Sequence, residues 1–548
     1  MNNYKNYCLF AILLFGAVFS GCNKYLDEYN PAGRTDNTFY NTASGFENLV
    51  KANYSNLRGI INSPNMYFVG TDIFSSYGRN DNNGLNLYNS NLTPMDGNFS
   101  GYWRQLYYAI NIANTTLYWA TQVKDEESSL LNQRVGEAKT LRSFYYFLLV
   151  ETFGDVPLQL QPTTSPIFAF TRTPEKDVYQ QIITDLTDAI QLLPASVTEQ
   201  GRVTKGVAQH LLSKVYLTRA YKLYGDKNND FKMAAKLADD VISGPYSLDT
   251  VYANLFDPTI TDFQNNKEVI FSVQYSSDPQ TNSGGNSLQQ YFLWDTQIVP
   301  FIGRSGLYGK PNYSACPTPF LFSLFDREKD SRYAATFWNV IYAQNAADGF
   351  AVGDTAVYYP DSIWSQSAID GEKYYVINPD KYGSSPFPGL TRCYPEPKKF
   401  RELNLPYQDG GGFRSTYVFR LAETYLIGAE ANLGLNNMDK ALEMFNKVRM
   451  RAAKPGTDPR TNILYSTEMK VSKLTLDDIL DERARELFGE EFRWFELKRT
   501  GKLISRTLAH NEEAKAAGSL DKHFLLRPIP QEDIDLNQTV LKQNPGYN

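Results

Sequence analysis

Histidine is almost missing from this chain: three in 548 residues, at 210, 510 and 523, none close to another. No His-Glu-x-x-His pair occurs, so a zinc-protease centre of that kind is excluded, and no Gly-x-Ser-x-Gly elbow occurs either. Cysteine is nearly as scarce, with four residues, which rules out a disulfide-built scaffold. Neither Cys316 nor Cys393 has a histidine nearby in sequence, so nothing local supports a nucleophilic thiol. Lys and Arg number 54 against 60 Asp and Glu, for a net charge of −6. That balance lacks the basic excess of a nucleic-acid binder. Beyond the first residues, no apolar run approaches the roughly 20 residues that cross a bilayer.

What the chain does have starts at its N-terminus. Lys5 precedes an apolar stretch from Cys8 to Phe19, and Val18-Phe19-Ser20-Gly21-Cys22 follows. The stretch is too short to span a membrane and has the layout of a secretory signal, residues 1–21. A cysteine at the cleavage point can take acyl chains, each buried CH₂ adding about 0.8 kcal/mol of membrane affinity. Cys22 is therefore the expected lipidation site, the alternative being an ordinary signal peptide with a cysteine nearby. In the oxidising compartment this implies, Cys316 and Cys393 either pair or stay as two buried thiols.

Aromatics make up 14% of the chain, with 38 Tyr and 33 Phe. Helical periodicity falls in two blocks, about 44–243 and 417–548. In the first, Ala138, Leu141, Tyr145 and Leu148 predict one apolar helix face over 137–152. Further helices are expected from Asp177 to Leu193, from Thr204 toward Gly225, and after Asp230, read as a cap. Asp226-x-Asn228-x-Asp230 fails as a calcium loop, with Phe231 and Leu237 where Gly and Glu belong. In the second block, Tyr425, Ala429 and Leu433, then Ala441, Leu442, Phe445 and Val448, flank a turn at Gly434 and Asn436-Asn437. This predicts a helical hairpin of tetratricopeptide type. One long charged helix is expected from Leu474 to Leu503. Between the blocks, about 244–416, helical period is lost; Glu268 to Val273 reads as a strand, and Gly, Pro and Asn punctuate the rest. From Tyr291 to Tyr394 this interval holds 22 aromatics. A segment so long and so aromatic is an ordered functional region rather than a disordered one.

Several motifs in order resemble the SusD/RagB family of outer-membrane nutrient-binding lipoproteins. They begin with Cys22-Asn23-Lys24-Tyr25-Leu26-Asp27 and Trp103-x-x-Leu106-Tyr107-x-x-Ile110. Gly136-Glu137-Ala138-x-x-Leu141-Arg142, Gly154-Asp155-Val156-Pro157 and Gly201-Arg202-Val203-Thr204 follow. Then come Asn266-Lys267-Glu268-Val269-Ile270, Arg420-Leu421-Ala422-Glu423 and Asn446-x-x-Arg449. The set closes with Arg493-Trp494-Phe495-Glu496-Leu497 and Gln543-Asn544-Pro545-Gly546-Tyr547. Glu496 stands where the family usually has Asp, and Ser143 where Ala is common. The resemblance covers nearly the whole mature chain and implies a mainly α fold, in which tetratricopeptide-like hairpins carry a loop-rich ligand-binding insertion. It implies no enzyme activity and no cofactor. It also implies a lipid-anchored, surface-exposed place on the outer membrane, an oligosaccharide or peptide ligand, and a SusC-like TonB-dependent transporter as partner.

Within that frame the charged helix residues Glu137, Arg142, Arg420, Glu423, Arg483 and Glu486 are expected as interhelical ion pairs, although carboxylate pairs can also serve a glycosidase. His210 is expected as a scaffold residue. Ligand contacts are expected from two places. The first is the polar run after Asp72, with Tyr77, Arg79, Asn80 and Asp81, whose planar groups suit pairs of sugar hydroxyls. The second is the aromatic interval, where Tyr291, Trp294, Trp338 and Trp364 can stack on the apolar face of a pyranose. Trp103, Trp119 and Trp494 lie in helical motifs and are expected to pack. A surface glycoside hydrolase and an adhesive lipoprotein without a small ligand are the readings from other classes.

Overall fold

The computed structural model describes residues 36–76, 83–124, 126–260, 265–278, 280–282, 284–308, 315–403 and 411–547. Cys22, Tyr77, Arg79, Asn80 and Asp81 lie outside the described residues. The fold is mainly helical. The helices that frame it are α1 (Ala43–Ile61), α2 (Gly97–Trp119), α3 (Ser128–Phe153), α4 (Glu175–Leu192), α5 (Lys205–Arg219) and α6 (Lys227–Ile242). After the irregular interval come α7 (Leu421–Gly434), α8 (Met438–Arg451), α9 (Leu476–Glu486), α10 (Arg493–Arg499), α11 (Leu503–His510) and α12 (Gln531–Leu536). Successive helices pack as antiparallel neighbours, α2 on α3, α3 on α4, α5 on α6 and α7 on α8, and α6 also lies against α7. The two helical blocks therefore meet through α6 and α7.

The α7–α8 hairpin follows the sequence pattern closely. Ala429 and Ala441 are fully buried where the helices cross. A Cβ on Gly428 would sit 2.5 Å from Met444 Sδ, so the helices approach at glycine distance. Asn436 makes the turn at φ 59°, in the left-handed region that Asn tolerates. Among the described residues no helix is long and apolar enough to cross a membrane.

Three local expectations are corrected. Helix α3 is not one-faced: Gly136 to Phe153 is buried all round, except Lys139, because helices cover it on several sides. Its polar residues are satisfied internally, Arg142 by Asp185 at 2.8 Å and Glu151 by Tyr179 at 2.6 Å. Asp226, not Asp230, caps α6 by accepting from Asn229 N, while the buried Asp230 carboxylate binds Arg219 at 2.6 and 2.9 Å. The long helix over 474–503 is broken into α9 and α10. Gly489 makes the break at φ 70°, and a Cβ there would lie 2.6 Å from the Phe400 ring. Aromatic packing against the break outweighs helix continuation.

Strands are few and short: β1 (Phe74–Ser75), β2 (Val269–Val273), β3 (Cys316–Pro317), β4 (Val340–Tyr342), β5 (Thr355–Tyr358), β6 (Tyr375–Val376) and β7 (Thr416–Arg420). Antiparallel pairing of β2 with β7, Val269 opposite Arg420 and Val273 opposite Thr416, closes the irregular interval at its base. In its outer part β5 pairs antiparallel with β4 and parallel with β6. Cys316 and Cys393 are buried free thiols, which decides the question their sequence left open.

Buried ion pairs tie the interval to the helices. Glu486 on α9 accepts from Arg332 at 2.9 Å and Arg420 at 3.1 Å, and also from Arg451. Arg420 and Arg451 both reach Glu268, and Arg332 also binds Asp330 and Glu482. Burial pushes the Glu486 carboxyl up, but Arg451, Arg420 and Arg332 overcome it and hold it at about 2 against an ordinary 4.5. A depressed carboxyl contributes its stabilisation fully above the unfolded value and loses it as pH falls toward the folded one. Glu486→Gln is predicted to cost about 3–5 kcal/mol by leaving buried guanidinium groups short of charge. Its thermal midpoint should fall less steeply than wild type as pH drops from 4.5 to about 2. Thermal denaturation across that range is the check, and parallel curves would refute the assignment.

Candidate functional site

The polar run after Asp72 and the aromatic interval lie far apart in sequence, and one small sheet joins them. Phe74 pairs with Pro317 and Ser75 with Cys316 across β1 and β3. Thr318 Oγ1 donates to Asp72 O at 2.6 Å, and Arg392 donates to Ser75 Oγ at 2.5 Å. Helix α11 and the residues after it hold this junction from below. Asn511 Nδ2 lies 3.2 Å from Thr71 O and 2.9 Å from Asn86 Oδ1.

Asp72 belongs to the anchor. It is fully buried, and its carboxylate accepts from Arg493 at 2.6 and 2.9 Å and from Arg506 Nε at 2.8 Å. Burial opposes the charge, but the two guanidinium groups hold the carboxyl below its ordinary value. A carboxylate so enclosed has no face for a ligand, which corrects the expectation that Asp72 contacts one. The signal was in the sequence: Asp72 stands within a mainly apolar stretch, Met66 to Phe74, whereas Tyr77 to Asp81 stand in a polar one.

The four candidate aromatics divide into two pairs. Tyr291 is 6% exposed and Trp294 is fully buried, stacked on Phe387 at 5.9 Å and 13°. Both are core residues beneath the surface, which corrects their assignment as stacking platforms. Trp338 and Trp364 are half-buried and present ring surface. Trp338 N donates to Glu396 O at 2.9 Å, Tyr308 meets its ring edge-on at 5.9 Å, and Lys398 Nζ lies 4.8 Å from its centroid. Below it, Glu396 is enclosed, and burial drives its carboxyl well above the ordinary value against only partial opposition from Arg401. Trp364 is fixed by a two-way clamp: its N–H donates to Asn378 Oδ1 at 2.9 Å, and Asn378 Nδ2 donates to its carbonyl at 3.0 Å. Tyr358 meets the Trp364 ring at 5.4 Å and Tyr374 meets Tyr358 at 6.2 Å, both edge-on. Ile363, Tyr342 and Tyr375 lie exposed in the same part of the chain. Sequence reasoning missed Tyr308, Tyr358 and Tyr374, because an aromatic-rich interval does not show which rings the core consumes.

Trp119 and Trp494 are buried packing residues, as expected. Trp103 packs too, but its edge also lines a groove of 530 Å³ between α2, the 157–170 segment and α12. His210 bonds Thr424 Oγ1 at 2.8 Å and Glu423 Oε2 at 3.1 Å, and burial lowers its pKa, so it sits neutral in the scaffold. Glu423, Glu491 and Glu496 come within 4.8 Å of one another in the core. Lys214 and Arg483 already lie among them, with Lys214 Nζ 2.6 Å from Glu423. Glu137, likewise expected as an ion pair, is held by Arg134 at 2.6 Å and Arg202 at 2.9 Å. These carboxylates are committed to cations.

A helical-hairpin scaffold carrying an irregular insertion with surface aromatic rings defines the class of protein. Residues 267–547 match the SusD family. Residues 24–217 match a second description, starch-binding associating with outer membrane. The chain belongs to the SusD family. SusD-like protein P2 of Formosa agariphila is 27% identical, with 100% of each chain covered. The starch-binding protein SusD of Bacteroides thetaiotaomicron is 23% identical over 77% of this chain and 74% of its own. A solved SusD homolog from Bacteroides thetaiotaomicron superposes with TM-score 0.72 at 21% identity, over 94% of this chain and all of that one. A solved laminarin-binding SusD-like protein superposes with TM-score 0.67 at 24% identity, over 92% of this chain and all of that one.

Asp72→Asn is predicted to lower the thermal midpoint by the equivalent of about 3 kcal/mol, since Arg493 and Arg506 lose their buried counter-charge. Ligand affinity of the folded variant should change by less than about threefold, equivalent to under 1 kcal/mol. Calorimetric unfolding and titration of the same preparation check both. A wild-type midpoint with lost binding would return Asp72 to the ligand site.

Proposed function

We propose that this chain is a non-catalytic, surface-exposed lipoprotein of the outer membrane that captures oligosaccharides and passes them to a SusC-like TonB-dependent transporter. The observation that carries the reading is the pair of half-buried indoles, Trp338 and Trp364, each fixed by main-chain hydrogen bonds and flanked by edge-on tyrosines. A fixed ring covers the C–H face of a sugar at little entropic cost, while polar neighbours take the hydroxyls. Tyr77, Arg79, Asn80 and Asp81 follow directly on β1 and would supply such groups. Two similar solved proteins are named for glycans, a laminarin-binding protein and a surface glycan-binding protein of Bacteroides uniformis. Capture without chemistry agrees with the helix carboxylates, which are spent on ion pairs. Cys22 would hold the domain at the membrane through acyl chains.

Trp338→Ala and Trp364→Ala are each predicted to weaken glycan binding about 5–30-fold, the loss of about 1–2 kcal/mol of stacking. Tyr291→Phe should bind like wild type. Screening the protein against a polysaccharide panel, then calorimetry of these variants on the glycan found, is the test. Wild-type affinity in both tryptophan variants would place the platform elsewhere, and binding of peptides alone would replace glycan by peptide capture.

Cys22→Ser is predicted to release the protein into the soluble fraction. Fractionation of cells lacking the transporter reads this directly, and a variant retained in the outer membrane at wild-type level would defeat the lipid anchor.

A further inference from the structure

Main-chain pairing places Lys398 beside Trp338. Phe337 and Pro397 form an antiparallel bridge, Trp338 N donates to Glu396 O at 2.9 Å, and Lys398 N donates to Thr336 O at 2.7 Å. Residues on either side of a bridged pair share one face, so Trp338 and Lys398 are diagonal neighbours on it. A lysine stem and an indole are long enough to meet across that diagonal, and Lys398 Nζ lies 4.8 Å from the Trp338 ring centroid. Both residues are half-buried. The backbone thus fixes a cation and an aromatic ring side by side at the surface.

The ammonium lacks a counter-charge. Elsewhere in the irregular interval Arg327, Lys329, Arg332, Arg392 and Lys399 each pair with a carboxylate. Among the described residues Lys398 pairs with none, and the Trp338 ring is what its ammonium meets. Burial disfavours its charge, and no neighbouring anion offsets that. The carboxyl on the same segment is Glu396, which is enclosed and driven by burial toward its neutral form. Arg401, three residues after Lys398, adds a second cation, and its guanidinium reaches only the carbonyl of Gly306 among the described residues. An ammonium held by a ring face alone is held more weakly than one bonded to an anion. The Trp338 end of the interval therefore offers positive charge that the described protein does not use.

We infer that Trp338 and Lys398 form a subsite for an anionic pyranose, one whose rim carries a carboxylate or a sulfate ester. The C–H face of the sugar lies on the indole, and the anion meets the ammonium. Lysine is a point charge without the planar fork of arginine, so the pair selects for charge and not for one oxyanion. The inference rests on the glycan reading and narrows it to acidic glycans. The whole chain carries −6, which repels such polymers, so binding them requires a local positive site.

Affinity electrophoresis followed by calorimetry is the test. The probes are neutral polysaccharides (laminarin, xylan), uronate polymers (polygalacturonate, alginate) and a sulfated one (carrageenan). An acidic polymer is expected to bind most tightly, and to bind more weakly as salt rises from about 20 to about 300 mM. Lys398→Met should weaken that binding about tenfold, equal to about 1.4 kcal/mol, while Lys398→Arg stays within about threefold of wild type. Neither Lys398→Met nor Lys398→Gln should lower the thermal midpoint, because no ion pair is lost. The class of acidic polymer that binds separates carboxylate from sulfate. Tightest binding of a neutral polymer, wild-type affinity for the acidic one in Lys398→Met, or a midpoint lowered in both Lys398→Met and Lys398→Gln would each overturn the inference. The two readings fail differently. A neutral polysaccharide that is bound, and lost in Trp338→Ala, keeps glycan capture and rejects the anionic subsite. Binding of peptides and of no polysaccharide rejects glycan capture, and the subsite with it.

Discussion

The structure turns on a buried cluster of ion pairs around Glu486. Arg420 and Arg451 enter it from the second helical block, Arg332 and Glu268 from the irregular interval, and Glu486 itself from α9. Charges removed from water are costly unless they are paired and hydrogen-bonded, so the cluster favours the one arrangement of these elements that pairs its carboxylates with guanidinium groups. Its value lies less in net stability than in specificity. A hydrophobic contact of equal area would let the irregular interval slide on the helices, whereas bidentate guanidinium pairs fix it.

The same device is used again at the edge. Asp72, bound by Arg493 and Arg506, fixes the residues leading into β1 on α10 and α11, just as Glu486 fixes the interval on α9. Binding surfaces are commonly carried on loops positioned by a rigid base. Here the base is electrostatic as much as apolar. The β1–β3 pair then joins Phe74 and Ser75 to the aromatic interval with only two residue pairs, sufficient because both sides are already anchored.

Most of the aromatic excess serves the core. Phe74, Phe292, Phe337, Phe400 and Phe488 contact one another within 6.4 Å, and Gly489 opens its helix break to make room for them. Aromatic density therefore marks an ordered interval without marking its surface. Trp294 and Trp364 stand in similar sequence surroundings, yet one is sealed under Phe387 and the other stays partly exposed, clamped by Asn378.

Much was legible in the chain itself. Alanine and leucine spacing gave the α7–α8 hairpin, β-branched residues gave β2, and ordered motifs gave the family, because these depend on patterns a few residues long. Helix interruption at Gly489 was not legible, since it answers to Phe400, nearly ninety residues earlier. The capping role of Asp226 was missed for a similar reason: Asp230 is drawn inward by Arg219, a partner on the preceding helix. The sequence by itself determined the helical scaffold, the irregular aromatic interval and the scarcity of catalytic side chains. Only the tertiary structure decided that Asp72 is an anchor, that Tyr291 and Trp294 are core, and that Trp338 and Trp364 keep part of their surface exposed. Burial and charge pairing are settled by what arrives from distant parts of the chain, and no local pattern records that.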